Sequence, residues 1–129
     1  MRYSFTSGDS PGSFDLPTEQ REFNRKLRLL ESVQRNARLT NQLRDAARNR
    51  VVGGNAFSQH ILGLAGDYVL PRGEVQAFMQ SARDLGLSPV DETVKTKGTG
   101  PHVHVQAYPA GVIPRQVYQQ IGVQIREEP

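Results

Sequence analysis

The chain has no cysteine. That excludes disulfide staples and any thiolate metal site, and it leaves the compartment open because a disulfide-free protein works on either side of a membrane. No apolar run approaches the length needed to cross a bilayer, and the opening Met1-Arg2-Tyr3-Ser4-Phe5-Thr6-Ser7-Gly8 lacks the apolar centre of a secretory signal, so the expectation is a product made in the cytoplasm. Lysine is scarce, at positions 26, 95 and 97, so arginine carries most of a net charge of +3. Such a balance suits anionic envelope polymers or nucleic acid and separates neither. The one dense basic run, Arg35 to Arg50, lacks the interleaved aromatic rings that stack on bases, so it reads as a solvated face or a substrate rim and nucleic acid is not an expected partner. The glycine-rich loop Lys95-Thr96-Lys97-Gly98-Thr99-Gly100 lacks the residue order of a phosphate-binding loop and no helix follows it, which argues against a nucleotide. No internal repeat is visible, and 129 residues leave no room for a second domain.

What is present is a pattern of alternating helices and short strands. Residues 1–16 are rich in serine and glycine and read as a flexible leader, with Phe14 and Leu16 as anchors. Ordering this leader would need contact with a partner, in a homo-oligomer or a larger assembly. From Thr18 to about Ala37 the apolar residues Phe23, Leu27, Leu30, Val33 and Ala37 recur every three or four positions, the spacing of an amphipathic helix. Leu39 to Leu43 reads as a strand, Ser58 to Leu64 as a short helix or turn, and Ala65 to Leu70 as a strand stopped by Pro71. A second amphipathic helix runs from Arg72 to Leu85 through Val75, Phe78, Met79 and Ala82 and ends at Gly86; Met79 belongs to the core. Val90 to Val94 and Pro101 to Tyr108 form a hairpin, and Pro114 to Ile121 a short helix in the tail, 111–129. The class is α+β, a small antiparallel sheet with helices on one side, in a single domain over 17–110.

All three histidines lie in two short segments, Ser58 to Asp67 and Gly98 to Gln106. Imidazole nitrogen and carboxylate oxygen suit Zn²⁺, and a catalytic zinc commonly takes three protein ligands. His102 and His104 are two apart in a β-branched stretch, so on a strand both rings point to one face while Val103 and Val105 point to the other. His60 precedes Asp67 by seven residues across Gly63 and Gly66, enough chain to leave a turn and return on a strand. An HxH pair alone is weak evidence, since alternating histidines on a half-buried strand are often bystanders.

The surroundings carry more. Val52-Gly53-Gly54-Asn55-Ala56-Phe57-Ser58-Gln59-His60-Ile61-Leu62-Gly63-Leu64-Ala65-Gly66-Asp67 resembles the VGGxxxSQHxxGxAxD signature of the D-Ala-D-Ala carboxypeptidase family of zinc peptidases, which includes phage L-alanyl-D-glutamate endopeptidases. Upstream, Leu39-Thr40-Asn41-Gln42-Leu43-Arg44 is similar to the family's ITSGYR strand, keeping the threonine and the arginine. Downstream, Pro101-His102-Val103-His104 resembles the closing strand that carries the third ligand.

The resemblance implies a zinc D,D-peptidase (hedgehog-like) fold, with Zn²⁺ held by His60, Asp67 and His104 and with His102 as a catalytic residue beside the metal water. Arg44 and Ser58 take positions that border the substrate; an arginine suits a peptide carboxylate, whose two oxygens match its fork. Arg44 reads equally as a surface cation among Arg35, Arg38, Arg48 and Arg50, and Ser58 as a helix N-cap. The implied activity is hydrolysis of a peptidoglycan peptide at a D-amino-acid link, in which zinc polarises the carbonyl, His102 manages the proton or the oxyanion, and the protein acts as a phage endolysin or virion-associated enzyme. One position departs from the pattern. Many members place a glutamate base three residues before the last ligand histidine, where this chain has Pro101, and Asp91 and Glu92 fall in the previous segment and are not assigned that task. The HxH form resembles lysostaphin-like sites. The missing glutamate also favours a competing reading, a weak or inactive peptidase fold kept as a structural component of a phage virion.

Overall fold

A computed structural model describes residues 2–6, 11–42, 58–94, 101–114 and 117–118. The leader forms a hairpin of β1 (Arg2–Thr6) and β2 (Pro11–Asp15), paired antiparallel from Arg2 opposite Asp15 to Thr6 opposite Pro11. Helix α1 (Leu16–Val33) follows at once, and Pro17 in its first turn fits because an N–H there has no intrahelical partner to lose. Its apolar stripe, Leu16, Phe23, Leu27 and Leu30, is buried. The periodicity predicts a helix running on to Ala37, but it stops at Val33, which is 64% exposed. The Gln34 N–H still reaches the Leu30 carbonyl at 2.8 Å, and the Ala37 N–H then bonds Gln34 in a turn. Ala37 therefore meets the core from that turn, not from a fifth helical repeat.

The main sheet has the order β3-β4-β6-β5, all pairs antiparallel, from β3 (Arg38–Asn41), β4 (Ala65–Val69), β5 (Ser88–Glu92) and β6 (His102–Gln106). Between β4 and β5 a 3₁₀ turn (Arg72–Glu74) leads into α2 (Val75–Asp84). The expected single helix from Arg72 is thus split, its first turn wound more tightly. Gly86 ends the segment with φ +79, a left-handed conformation that glycine adopts without a Cβ penalty, and the Leu87 N–H closes back on Ala82 at 3.0 Å.

Alternation along the strands divides the sheet into two faces. Tyr68, Val103 and Val105 are fully buried together with Phe23, Leu27, Leu30 and Phe78 of the helices. The Tyr68 ring packs tilted against Phe78, centroids 5.1 Å apart, and its hydroxyl donates to Glu31 of α1 at 2.5 Å, which satisfies a buried polar group that would otherwise be costly. The opposite face carries the polar row described below.

The hairpin β5–β6 begins and ends earlier on its first strand than the sequence suggests. Strand β5 stops at Glu92 because the Asp91 carboxylate accepts from both the Thr93 N–H (2.9 Å) and its hydroxyl (2.6 Å), turning the chain there. The expected tail helix falls mostly outside the described residues. Within it Val117 and Tyr118 are helical and buried in the core. No helix of the described residues is long and apolar enough to cross a membrane.

Candidate metal centre

The site begins with a single 3₁₀ turn, Gln59–Leu62. Ser58 caps it: its side chain accepts the His60 N–H at 3.2 Å and its carbonyl accepts the Ile61 N–H at 3.1 Å. Gly63, at φ +70, then reverses the chain, so β4 starts two residues later. This out-and-back path explains how His60 and Asp67, seven residues apart, face each other. Two further contacts fix the turn in place. The Gln59 side chain exchanges two hydrogen bonds with the Tyr108 backbone, donating to its carbonyl (2.6 Å) and accepting its N–H (3.1 Å). The Ala107 N–H donates to Leu64 at 2.9 Å.

Sheet register supplies the remaining residues. Asn41, Asp67, His104 and Val90 stand directly opposite one another across β3, β4, β6 and β5, forming one rung over the whole sheet. An irregularity between Leu39 and Asn41 brings Asn41 into line with Asp67. Two positions along, the next pair on the same face is His102 with Glu92.

Asp67 is the hub, and it is 1% exposed. Its Oδ1 lies 3.1 Å from His60 Nε2, 3.1 Å from His104 Nδ1 and 3.5 Å from His102 Nε2. Its Oδ2 accepts from Asn41 Nδ2 at 3.2 Å. The outer nitrogens of the two rings nearest the hub are also engaged. His60 Nδ1 donates to the Gln42 carbonyl at 2.7 Å, and His104 Nε2 donates to Gln106 Oε1 at 2.9 Å. A carbonyl oxygen only accepts, so each outer nitrogen carries the ring proton, and a neutral ring presents a lone pair inward. One ligand atom from each of His60, Asp67 and His104 lies within 4.8 Å of the others, a compact set of two nitrogens and one oxygen.

Three inward-facing electron pairs repel unless a cation or additional protons lie between them. The titration behaviour expresses that demand. Burial alone would raise the Asp67 carboxyl, but hydrogen bonds from His104 and His60 outweigh it and hold the group well below the usual carboxylate range. Burial would likewise lower the His104 imidazole, and its contacts with Asp67 and Gln106 reverse the sign and raise it. The donor set, the burial and the outer-nitrogen partners fit a divalent metal of intermediate softness such as zinc.

The residues expected from the sequence fall as follows. His60, Asp67 and His104 come together, and His102 shares their face, while Val103 and Val105 enter the core with no exposed surface. Ser58 is beside the site through its cap on the His60 backbone. Arg44 and the segment Val52–Phe57 lie outside the described residues. Pro101 is exposed just ahead of β6.

Three participants escape the sequence reading. Glu92 Oε2 lies 2.6 Å from His102 Nε2, reached across the strand pair and not along the chain. Its signal was the hairpin register, which becomes readable only once Asp91 is seen to end β5. Asn41 belongs to a segment already read as a strand, and pairing that strand with β4 would have found it. Gln106 did not escape, since it follows His104 by two on β6 and alternation puts it on the same face as His102 and His104. Gln42 acts through its backbone carbonyl, which no side-chain pattern reveals.

No curated protein and no solved structure matches the sequence. A family model does, over residues 12–106, which include all but the first residue of β2, all four strands of the main sheet and the His60–Asp67–His104 cluster. With His60, Asp67 and His104 gathered on one sheet face inside that span, the chain belongs to the peptidase M15 family.

Proposed function

We propose that the protein is a zinc-dependent peptidase that hydrolyses a peptidoglycan peptide at a bond to a D-amino acid, and that it is phage-encoded, as an endolysin or a virion-associated enzyme. The observation that carries the metal reading is the pair of held imidazoles: His60 Nε2 and His104 Nδ1 both turned onto Asp67 Oδ1, with their outer nitrogens committed to oxygen acceptors. When bound, zinc supplies a Lewis acid for the scissile carbonyl and acidifies a water. The chain's own residues do the remainder. Asn41 and Gln106 keep the carboxylate and the imidazole aimed, at no cost in reorganisation when substrate arrives. His102, 5% exposed and beside the cluster, is the group that holds a proton near the reacting atoms. Arg44 binds a substrate carboxylate, and Ser58 borders the substrate. Membership of the M15 family supports the peptidase chemistry.

The test is release of new amino groups from purified peptidoglycan by the zinc-loaded protein, with mass spectrometry of the products to name the bond. Amino groups that appear with zinc and vanish with a chelator support the reading. A second reading, a virion structural component with a peptidase fold, draws on Pro101 standing where the family's glutamate is expected. A zinc-loaded protein that releases nothing from peptidoglycan would favour it.

A further inference from the structure

We infer that Glu92 is a positioning residue for His102, a cross-strand carboxylate that fixes which imidazole nitrogen carries the proton and where that proton points. The inference rests on the peptidase reading for its consequence in turnover, but its geometry stands on the strand pair alone. Glu92 and His102 are register partners at the loop end of the β5–β6 hairpin, the last pair before the connecting chain. The Glu92 Oε2 to His102 Nε2 distance is 2.6 Å, and the same nitrogen lies 3.5 Å from Asp67 Oδ1. Ionised carboxylates only accept, so a nitrogen facing two of them bears hydrogen. His102 therefore carries an N–H, not a lone pair, at this atom, aimed at Glu92 with Asp67 Oδ1 at the farther 3.5 Å. It does not compete with His60 and His104 as a ligand through this atom, and it stands ready as a donor to negative charge developing beside it.

The arrangement has the logic of a carboxylate that holds a catalytic imidazole in one tautomer and one orientation. What is particular to this chain is the route by which the carboxylate arrives. Pro101 occupies the position three residues before His104, has no acid, and precedes the strand. Glu92 comes from the adjacent strand, and it is there because Asp91 turns the chain at Thr93 and ends β5 at Glu92. The His102 side chain is 4% exposed and that of Glu92 27%, so the imidazole is enclosed while its partner reaches the solvent edge. Charge-assisted bonds of this kind are shorter and about twice as strong as neutral ones, enough to select one tautomer of a ring whose two forms are otherwise close in energy.

The experiment compares the full chain with Glu92→Ala and Glu92→Gln by ¹H–¹⁵N spectroscopy of the histidine rings, zinc stoichiometry and steady-state kinetics. The expected wild-type signature is a His102 ring protonated at Nε2, with a proton protected from exchange. Glu92→Ala loses that protection and drops kcat on the order of 10–100-fold, the usual cost of removing a partner that orients a metal-site group, with KM little changed. Glu92→Gln keeps an oxygen at the same reach and recovers most of both. All three bind zinc alike, since Glu92 touches none of the three converging ligand atoms. An unchanged His102 signal and unchanged kcat in Glu92→Ala overturn the inference, as does a wild-type ring protonated only at Nδ1. If the wild type itself releases no amino groups from peptidoglycan, the peptidase reading fails, and the ring spectra still decide the role of Glu92.

Discussion

Replacing Gln106 with leucine isolates what the outer hydrogen bond contributes to metal affinity. Gln106 Oε1 is the acceptor for His104 Nε2 at 2.9 Å, and no main-chain ladder bond depends on its side chain. In Gln106→Leu the imidazole has two choices. It keeps the Nε2 proton without a partner, at a cost of about 1–3 kcal/mol for an unsatisfied donor, or it moves the proton to Nδ1, where it hydrogen-bonds Asp67 and must be expelled before metal enters. Either route subtracts from binding. At about 1.4 kcal/mol per factor of ten, the loss spans roughly 5- to 150-fold in Kd. The His104 side chain is 13% exposed, so water recovers part of the lost bond and the lower half of that range is the expectation. The assay is a competition titration of zinc against a chromophoric chelator at neutral pH, with circular dichroism to establish that the fold is kept. Gln106→Glu serves as the companion, since it restores an acceptor and should bind at least as tightly as the wild type. A folded Gln106→Leu protein with wild-type zinc affinity would refute the claim that the outer acceptor sets the inward lone pair of His104.

In Asp67→Asn the new amide can accept from Asn41 and donate inward to the neutral rings of His60 and His104, so melting should change little while zinc is lost; wild-type zinc content in this variant, by elemental analysis, would remove Asp67 from the ligand set. The chelator-treated protein should show a pH optimum from the His104–Asp67 contact. The His104 value is raised above 6.5, so its stabilisation is full below 6.5 and fades as pH climbs through the raised value, whereas that of Asp67, lowered from 3.8, is full above 3.8 and fades as pH falls through the lowered one. Urea midpoints highest between those two ordinary values, with zinc restoring stability at neutral pH, are the expected result; a flat profile from pH 4 to 8 counts against it. Gly66→Ala would put a Cβ 3.0 Å from Leu39 Cδ1 and 3.6 Å from Leu27 Cδ1, pressing β4 away from β3 and α1. A loss of about 1 kcal/mol in unfolding free energy is expected, at the low end for overpacking because Leu39 is only partly buried, and a gain in stability would show that the strand has room there.

Much of this architecture was legible in the chain because it rests on short-range periodicity. The alternation His102, Val103, His104, Val105 assigns two residues to each face, and the structure keeps that division. The stripe Phe23, Leu27, Leu30 marks the buried side of α1. His60 and Asp67 were found through their neighbours, since Ser58, Gly63 and Gly66 are the residues that make the turn and the close strand approach. Element ends were less legible. Val33 and Ala37 fit the helical spacing, yet one is solvent-facing and the other reaches the core from a turn, because periodicity records burial and not the path taken to it. The second tier of the site was hidden for a related reason. Glu92 and Asn41 depend on which residue faces which across strands, and a register is fixed by turns and irregularities outside the alternation of either strand.

The Gln59 side chain, with one bond given to and one taken from Tyr108, acts as a single rung of ladder made by an amide that is not part of the backbone. It staples the entry to β4 onto the exit from β6. A designer who grafted Ser58 through Asp67 onto another sheet would carry the ligand spacing and leave behind the clasp that holds the His60 turn shut. The portable unit is therefore larger than the motif: it includes the chain just past β6, and a scaffold lacking a free peptide group at that point would receive a histidine that swings away from its carboxylate.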